Sequence, residues 1–259
     1  MPAHPFFDGL KAPLHIAHRG GAKLAPENTM VAFRAAVERW RTDVLELDVH
    51  ATADGEVVVF HDPTLERCTD GAGPVSALTF SQLSMLDAAF HHPTLRGQGV
   101  RVPRLTEVLE AFPHVRVNLE VKTDGALQPF ADLVRERPTL RERLCIGSEH
   151  DALASRLVEA LPDACHFFPA NALAAFVMSA RSGEPVEDDP RFLVLDMPLD
   201  WEGLRVFDEH LAQTAKAAGK WVNVWTVDDP ADMRQVIAQG VGGVMTDRPD
   251  LLRDVLDAR

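Results

Sequence analysis

The sequence predicts an α/β fold: a (β/α)8 TIM barrel with a small insertion after the β-hairpin that follows its second strand. Three observations point there. Short β-rich runs alternate with helical patterns until eight such runs have passed within 259 residues, the pattern of parallel strands joined by crossover helices. Reactive side chains gather at the C-terminal ends of those runs, where such barrels carry their sites. No Gly-rich nucleotide fingerprint follows the first run, which disfavours the alternative, an open doubly wound sheet.

Taken in order, "HIAHR" (15–19) is the first strand and "PENTMVAFRAAVERW" (26–40) its helix, with Met30, Phe33, Ala36, Val37 and Trp40 at helical spacing. "VLELDV" (44–49) is the second strand. "EVVVFHD" (56–62) follows after a turn at Asp54-Gly55. So few residues make a hairpin, because a parallel crossover needs a dozen or more. This limb therefore runs back antiparallel, is not one of the eight, and returns His61 to the barrel mouth. Residues 63–104 hold turn signals at 70–74 and 97–99 and one helical segment near 79–87; they read as a small insertion over the mouth. Strands three to eight follow at 115–122, 144–148, 165–169, 191–198, 221–227 and 241–247. Helices are expected at 127–137, 149–160, 169–181, 204–219 and 230–239, and from Pro249 to Leu256. The acidic run "EPVEDDP" (184–190) reads as an exposed loop. Residues 1–259 form one domain on this reading, a length that single barrels reach routinely.

Composition narrows the functional class. Hydrophobic content of 46% and charged content of 25% are those of a soluble globular protein. A net charge of −13 disfavours nucleic-acid binding, yet a bound metal ion can reverse the field in one pocket. Cys68, Cys145 and Cys165 are scattered, without CxxC spacing, and read as reduced thiols of a cytoplasmic protein. The N-terminus lacks a signal-peptide pattern, and no apolar run approaches a membrane span. A cytoplasmic protein without stable membrane insertion is expected; oligomeric state is left open.

The strand ends carry the chemistry. Strand one ends in His18-Arg19-Gly20. Strand two carries Glu46 and Asp48, two apart and so on one face, with Leu45, Leu47 and Val49 on the other. Strand three carries Asn118, Glu120 and Lys122 in the same alternation, and the hairpin delivers His61. Three converging carboxylates would repel one another and raise each other's pKa unless a cation joins them. Oxygen ligands without thiolates suit Mg²⁺ or Ca²⁺ rather than Zn²⁺. Arg19 and Lys122 beside such a metal make a phosphate site, and His18 and His61 suit general base and general acid. The sum is metal-assisted hydrolysis of a phosphate ester.

The motifs "AHRGGAKLAPENTMVAF", "LELDVHATADGEVVVFHDPTLERCTDGAG", "VRVNLEVK", "NVWTVDDP" and "GGVMTDRPD" resemble those of the glycerophosphodiester phosphodiesterases, in that family's order, from about Ile16 to Leu251. The resemblance implies hydrolysis of a small-molecule glycerophosphodiester to glycerol 3-phosphate and an alcohol, with Ca²⁺ or Mg²⁺. It implies His18 and His61 as the acid/base pair, Glu46, Asp48 and Glu120 as metal ligands, and Arg19 and Lys122 on the phosphate. It also implies a route in which the neighbouring glycerol hydroxyl attacks first. "LRGQGVRVPRLTEVLEAFP" and "GSEHDAL" resemble a branch that includes lysophospholipase D-like enzymes. That alternative needs an apolar groove, placed at Leu78–Phe90 with Phe167, Phe168 and Trp201.

Blander readings stand beside these. Lys122 could simply pair with Glu120, and Trp225 could be core filler rather than a substrate-facing ring. Glu27, Asn28 and Thr29 open a helix after a proline, so capping accounts for them. With no tyrosine in the chain, Phe90, His91, Phe167, Phe168, Trp201 and Trp225 remain to form a substrate wall. A silent, binding-only barrel is the competing class, disfavoured by the presence of both histidines.

Overall fold

The computed structural model describes residues 2–183, 185, 186 and 188–259. Glu184 and Glu187 of the acidic run lie outside the described residues; Pro185, Asp188 and Pro190 between and beyond them are exposed.

In chain order the strands are β1 (Leu14–Ala17), β2 (Val44–Ala51), β3 (Val57–Val59), β4 (Arg116–Val121), β5 (Leu144–Gly147), β6 (Cys165–His166), β7 (Val194–Pro198), β8 (Asp200–Trp201), β9 (Leu204–Arg205), β10 (Trp221–Trp225) and β11 (Gly243–Thr246). The helices are α1 (Met30–Arg34), α2 (Phe80–Leu83), α3 (Leu105–Ala111), α4 (Asp124–Glu136), α5 (Asp151–Ala160), α6 (Ala170–Ser182), α7 (Glu209–Ala217), α8 (Pro230–Ala238) and α9 (Pro249–Asp257).

Eight parallel strands lie in the order β6-β5-β4-β2-β1-β11-β10-β7. The two ends meet through a parallel bridge between Phe167 and Val194 and the bonds Leu193 N to His166 O and Phe168 N to Val194 O, at 2.8 and 2.9 Å. The sheet is therefore an eight-stranded barrel, as the alternation of runs predicts. β3 is antiparallel to β2, with Val49 opposite Val59.

β2 is buried at every position. Leu45, Leu47 and Val49 join the helix-facing core with Phe33, Phe130 and Leu157, so their alternates Glu46, Asp48 and His50 face inward. The floor is apolar: Leu14, Ile16, Cys145, Cys165 and Met245 pack with Phe6 and Phe7, and Phe7 lies 5.3 Å from the Trp221 ring. This N-terminal plug leaves the strand C-termini as the open end.

Residues 63–104 pack as their own cluster, with Leu65, Val75, Leu83 and Val102 against Val58 and Phe60 of the hairpin. Three local expectations change. α3 was not foreseen, its start being fixed by Arg104 N donating to Glu107 Oε2 at 2.7 Å. The helix expected from 204 starts only at Glu209, because Asp208 Oδ1 caps Leu211 N at 2.8 Å. The residues ahead of it form the β8–β9 hairpin, with Trp201 opposite Leu204.

Candidate functional site

The "HRG" turn after β1 is held by local sterics. Arg19 is left-handed (φ +50°), a conformation costing a non-glycine residue roughly 1–2 kcal/mol. Its backbone N–H donates to Glu46 Oε2 at 2.8 Å. Gly20 follows at φ +82°, where a Cβ would come 2.7 Å from Ala32 Cβ, so the close approach to α1 needs glycine.

The turn opens onto a cavity of about 760 Å³ at the barrel's C-terminal end. His18, Arg19, Glu46, Asp48, His61 and Glu120 all line it. Trp225 and Glu149 line it as well. Lys122 does not line it but reaches the group with Nζ, 2.9 Å from Glu120 Oε2, 3.8 Å from Asp48 Oδ1 and 3.4 Å from His61 Nε2. Every residue singled out at the strand ends thus meets at one place.

Both histidines are tied to carboxylates. His18 Nδ1 lies 2.7 Å from Asp247 Oδ1, with Nε2 3.9 Å from Glu46 Oε2. His61 Nδ1 lies 2.6 Å from Asp62 Oδ1. A carboxylate can only accept, so in each pair Nδ1 carries the proton; Nε2 of His61 then accepts from Lys122 Nζ, and Nε2 of His18 faces Glu46. Burial works against a charged His18, but Glu46 and the Asp247 hydrogen bond outweigh it and raise its pKa. The Arg67 guanidinium, first, and the His61 hydrogen bond hold the Asp62 carboxyl well below its usual range.

The inward acids are under-compensated. Burial, then the charge of Asp48, pushes Glu46 up to about 8. Burial, with Asp48 and Glu149 adding to it against Lys122, pushes Glu120 up to about 7. Asn28 donates through Nδ2 to Asp48 Oδ2 at 2.9 Å, and its buried Oδ1 has no partner. Among the described residues, no three His, Cys, Asp or Glu side chains are preassembled as a metal cluster; Lys122 Nζ stands between Glu120 and Asp48 instead. The donor chemistry nevertheless suits a hard dication: carboxylates, of which Glu46 and Glu120 are raised by burial and by the charge of Asp48, beside an orphaned amide oxygen.

Several members of this network were not singled out in the sequence. Asp247 and Asp62 are histidine partners. Thr29 caps α1 through Ala32 N, as expected, but Glu27 and Asn28 do more: Glu27 Oε1 accepts from Arg19 Nη1 at 3.0 Å. Asp62 directly follows His61 and Asp247 ends strand eight, so adjacency was the available signal. One layer down, Asp196 accepts from Asn118 Nδ2 and Asn223 Nδ2 at 2.6 and 2.7 Å; burial pushes it up to about 6.

The outer cavity wall matches expectation at Phe167, Phe168, Trp201 and Trp225 and differs elsewhere. Leu173, Val177 and Met178 of α6, Trp201 and Leu204 of the β8–β9 hairpin, and Phe168 form an apolar lobe. None of residues 63–104 lines it, so the groove expected at Leu78–Phe90 is not there. Those residues turn inward onto their own cluster. Phe90 lies under the Arg96 guanidinium at 3.9 Å and His91 bonds Glu66 O, which removes both from the substrate wall.

Comparison with known proteins agrees with this geometry. Residues 18–251 match the Glycerophosphoryl diester phosphodiesterase family. The chain belongs to that family. Glycerophosphodiester phosphodiesterases are phosphoric diester hydrolases, and this chain is one of them by membership. A glycerophosphodiester phosphodiesterase of Caldanaerobacter subterraneus is 34% identical, over 92% of this chain and 96% of that protein. A human lysophospholipase D is 30% identical, over 93% and 85%. A solved Oleispira antarctica phosphodiesterase in complex with the product sn-glycerol-3-phosphate is 26% identical, with a TM-score of 0.76 over 93% of this chain and 96% of that one.

Proposed function

We propose that this glycerophosphodiester phosphodiesterase cleaves glycerophosphodiesters to glycerol 3-phosphate and an alcohol, with His18 and His61 as the acid/base pair. The observation that carries the reading is the pairing of each imidazole, through Nδ1, with its own carboxylate, at one cavity that both histidines line. One imidazole, neutral, takes at Nε2 the proton of an attacking hydroxyl; the other, protonated on both nitrogens, gives its Nε2 proton to the departing alkoxide. Arg19 and Lys122 grip the phosphate, and Trp225 flanks the substrate. Residues 1–259 act as one domain, with 63–104 as a small insertion.

Glu46, Asp48 and Glu120 would hold a divalent cation, Ca²⁺ or Mg²⁺, supported by the raised carboxyls of Glu46 and Glu120 and by the orphaned Asn28 Oδ1. Such an ion supplies charge that offsets the phosphoryl oxygens. Arg19, Lys122 and the two histidines bind, orient and move protons around it. Release of glycerol 3-phosphate from glycerophosphocholine, lost in chelator and restored by added Ca²⁺ or Mg²⁺, tests the reading. Full activity in chelator would reject the cation.

A second reading, lysophospholipase D activity, is favoured by one observation: the apolar lobe continues outward from the polar centre to Met178, Trp201 and Leu204, which are 71%, 62% and 70% exposed. An acyl chain on the substrate would cover them. Among the described residues no helix is long and apolar enough to cross a membrane.

A further inference from the structure

Arg67 lies outside the cavity, in the segment that follows the hairpin, yet its guanidinium touches the carboxylates behind two different parts of the site. Nη1 and Nη2 lie 2.7 Å from Glu27 Oε2 and Oε1. Nε and Nη2 lie 2.6 and 2.9 Å from Asp62 Oδ2 and Oδ1. Both contacts are two-pronged, a match of fork to carboxylate that only arginine makes. Asp62 in turn holds His61 Nδ1 at 2.6 Å, and Glu27 holds Arg19 Nη1 at 3.0 Å. His61 most needs such support, because it follows a three-residue strand rather than a barrel strand.

We propose that Arg67 is a positioning residue that aims both working groups at once, His61 through Asp62 and Arg19 through Glu27. The proposal deepens the glycerophosphodiesterase reading and rests on it for the kinetic arm below. The backbone around Arg67 is fixed for this task. Leu65 is fully buried, and its carbonyl accepts from Cys68 N, Thr69 N and Thr69 Oγ1. Asp62 and Glu27 side chains are 21% and 14% exposed, against 47% for Arg67. A half-exposed ion pair contributes little to stability, so its value here lies in geometry. Without the guanidinium, two neighbouring acids would repel, and each would be free to leave its partner.

The bland alternative is a surface staple that only ties residues 63–104 to the barrel, and two measurements separate the cases. The first is proton NMR of the imidazole N–H signals, assigned by His61→Ala and Asp62→Asn. Arg67→Gln should abolish the His61 Nδ1–H signal and leave that of His18 in place. An unchanged His61 signal in a variant melting close to wild type overturns the proposal, whatever the substrate proves to be. The second is kinetics on glycerophosphocholine. Arg67→Gln should lower kcat roughly tenfold to a hundredfold and raise KM. In the Asp62→Asn background the same change should leave kcat alone and still raise KM. Effects on kcat that multiply in the double variant overturn the proposal. Arg67→Lys keeps the charge and loses the fork, so it covers the case in which the glutamine variant does not fold; it should recover only part of kcat, and a lysine variant equal to wild type in both measurements overturns the proposal too. Absence of wild-type turnover would sink the function reading alone, because the NMR arm needs no substrate.

Discussion

His18 Nδ1 stands 2.7 Å from Asp247 Oδ1, across the seam where β1 pairs with β11. The first and last strands of the barrel thus jointly orient one imidazole. Asp247→Asn should keep the fold and lower turnover by up to about a hundredfold, while His18→Ala and His61→Ala each cost on the order of 10²–10⁴ in kcat. The Asp247 hydrogen bond is one of the forces raising the His18 pKa. Its removal should move the His18 limb of the pH–rate profile to lower pH. A profile that stays put, at full turnover, would remove Asp247 from the account.

The proposed cation site has its own signature. Glu46 and Glu120 are pushed up to about 8 and about 7, so near neutral pH they keep protons that a metal must displace. Affinity for Ca²⁺ or Mg²⁺ should therefore climb between about pH 6 and pH 8, by up to about tenfold per pH unit for each proton displaced. Calorimetry at several pH values reads it. Glu46→Gln and Glu120→Gln should weaken binding, and a flat affinity in the native chain would contradict the assignment.

Stability should depend on pH through a residue far from the chemistry. His15 is fully buried, between Thr42 Oγ1 at 3.0 Å and Pro249 O at 2.8 Å. Burial, with Arg253 adding to it, lowers its pKa from 6.5 to about 4. The folded state resists protonation more than the unfolded chain, so this contribution is intact above pH 6.5 and is lost as pH falls toward about 4. Roughly 2–3 kcal/mol should disappear between pH 7 and about pH 4.5. Urea unfolding of wild type and His15→Gln at both pH values isolates the effect, because the raised acids of the site are common to both proteins. An equal loss in the two would refute it.

The apolar lobe predicts selectivity. Trp201→Ser and Leu204→Ser should leave glycerophosphocholine turnover unchanged and raise KM for a long-chain lysophosphatidylcholine roughly tenfold, given the ~1.5–3 kcal/mol a well-covered large apolar side chain contributes. Parallel rates on the two substrates read it directly. Equal loss on both would place the hairpin in the general support of the site.

How far the sequence reaches can be followed residue by residue. The eight strands were legible because β2 and its neighbours alternate apolar and polar positions, and the hairpin because Asp54-Gly55 leaves no room for a crossover. Glu46, Asp48, Glu120, His18 and His61 were legible as strand-end chemistry. Arg67 was not, because its partners Glu27 and Asp62 lie 40 and 5 residues away and no local pattern reports a contact of that kind. Of the expected apolar groove, Phe167, Phe168 and Trp201 do line the cavity, whereas its Leu78–Phe90 part was misplaced, for a similar reason. Trp201 and Leu204 oppose each other in a two-residue-strand hairpin, too short to show a period, whereas Leu78–Phe90 look apolar in sequence but are used up in a separate cluster. Asp208 starts the expected helix late, a capping signal present in the sequence and outweighed by the apolar spacing ahead of it.

The most direct test of the central claim is product analysis with glycerophosphocholine and the purified chain. The account predicts glycerol 3-phosphate and choline in equal amounts, formation of both ceasing in chelator or in His61→Ala. Release of glycerol and phosphocholine instead, or no cleavage of this or any other glycerophosphodiester with either Ca²⁺ or Mg²⁺ present, would contradict it.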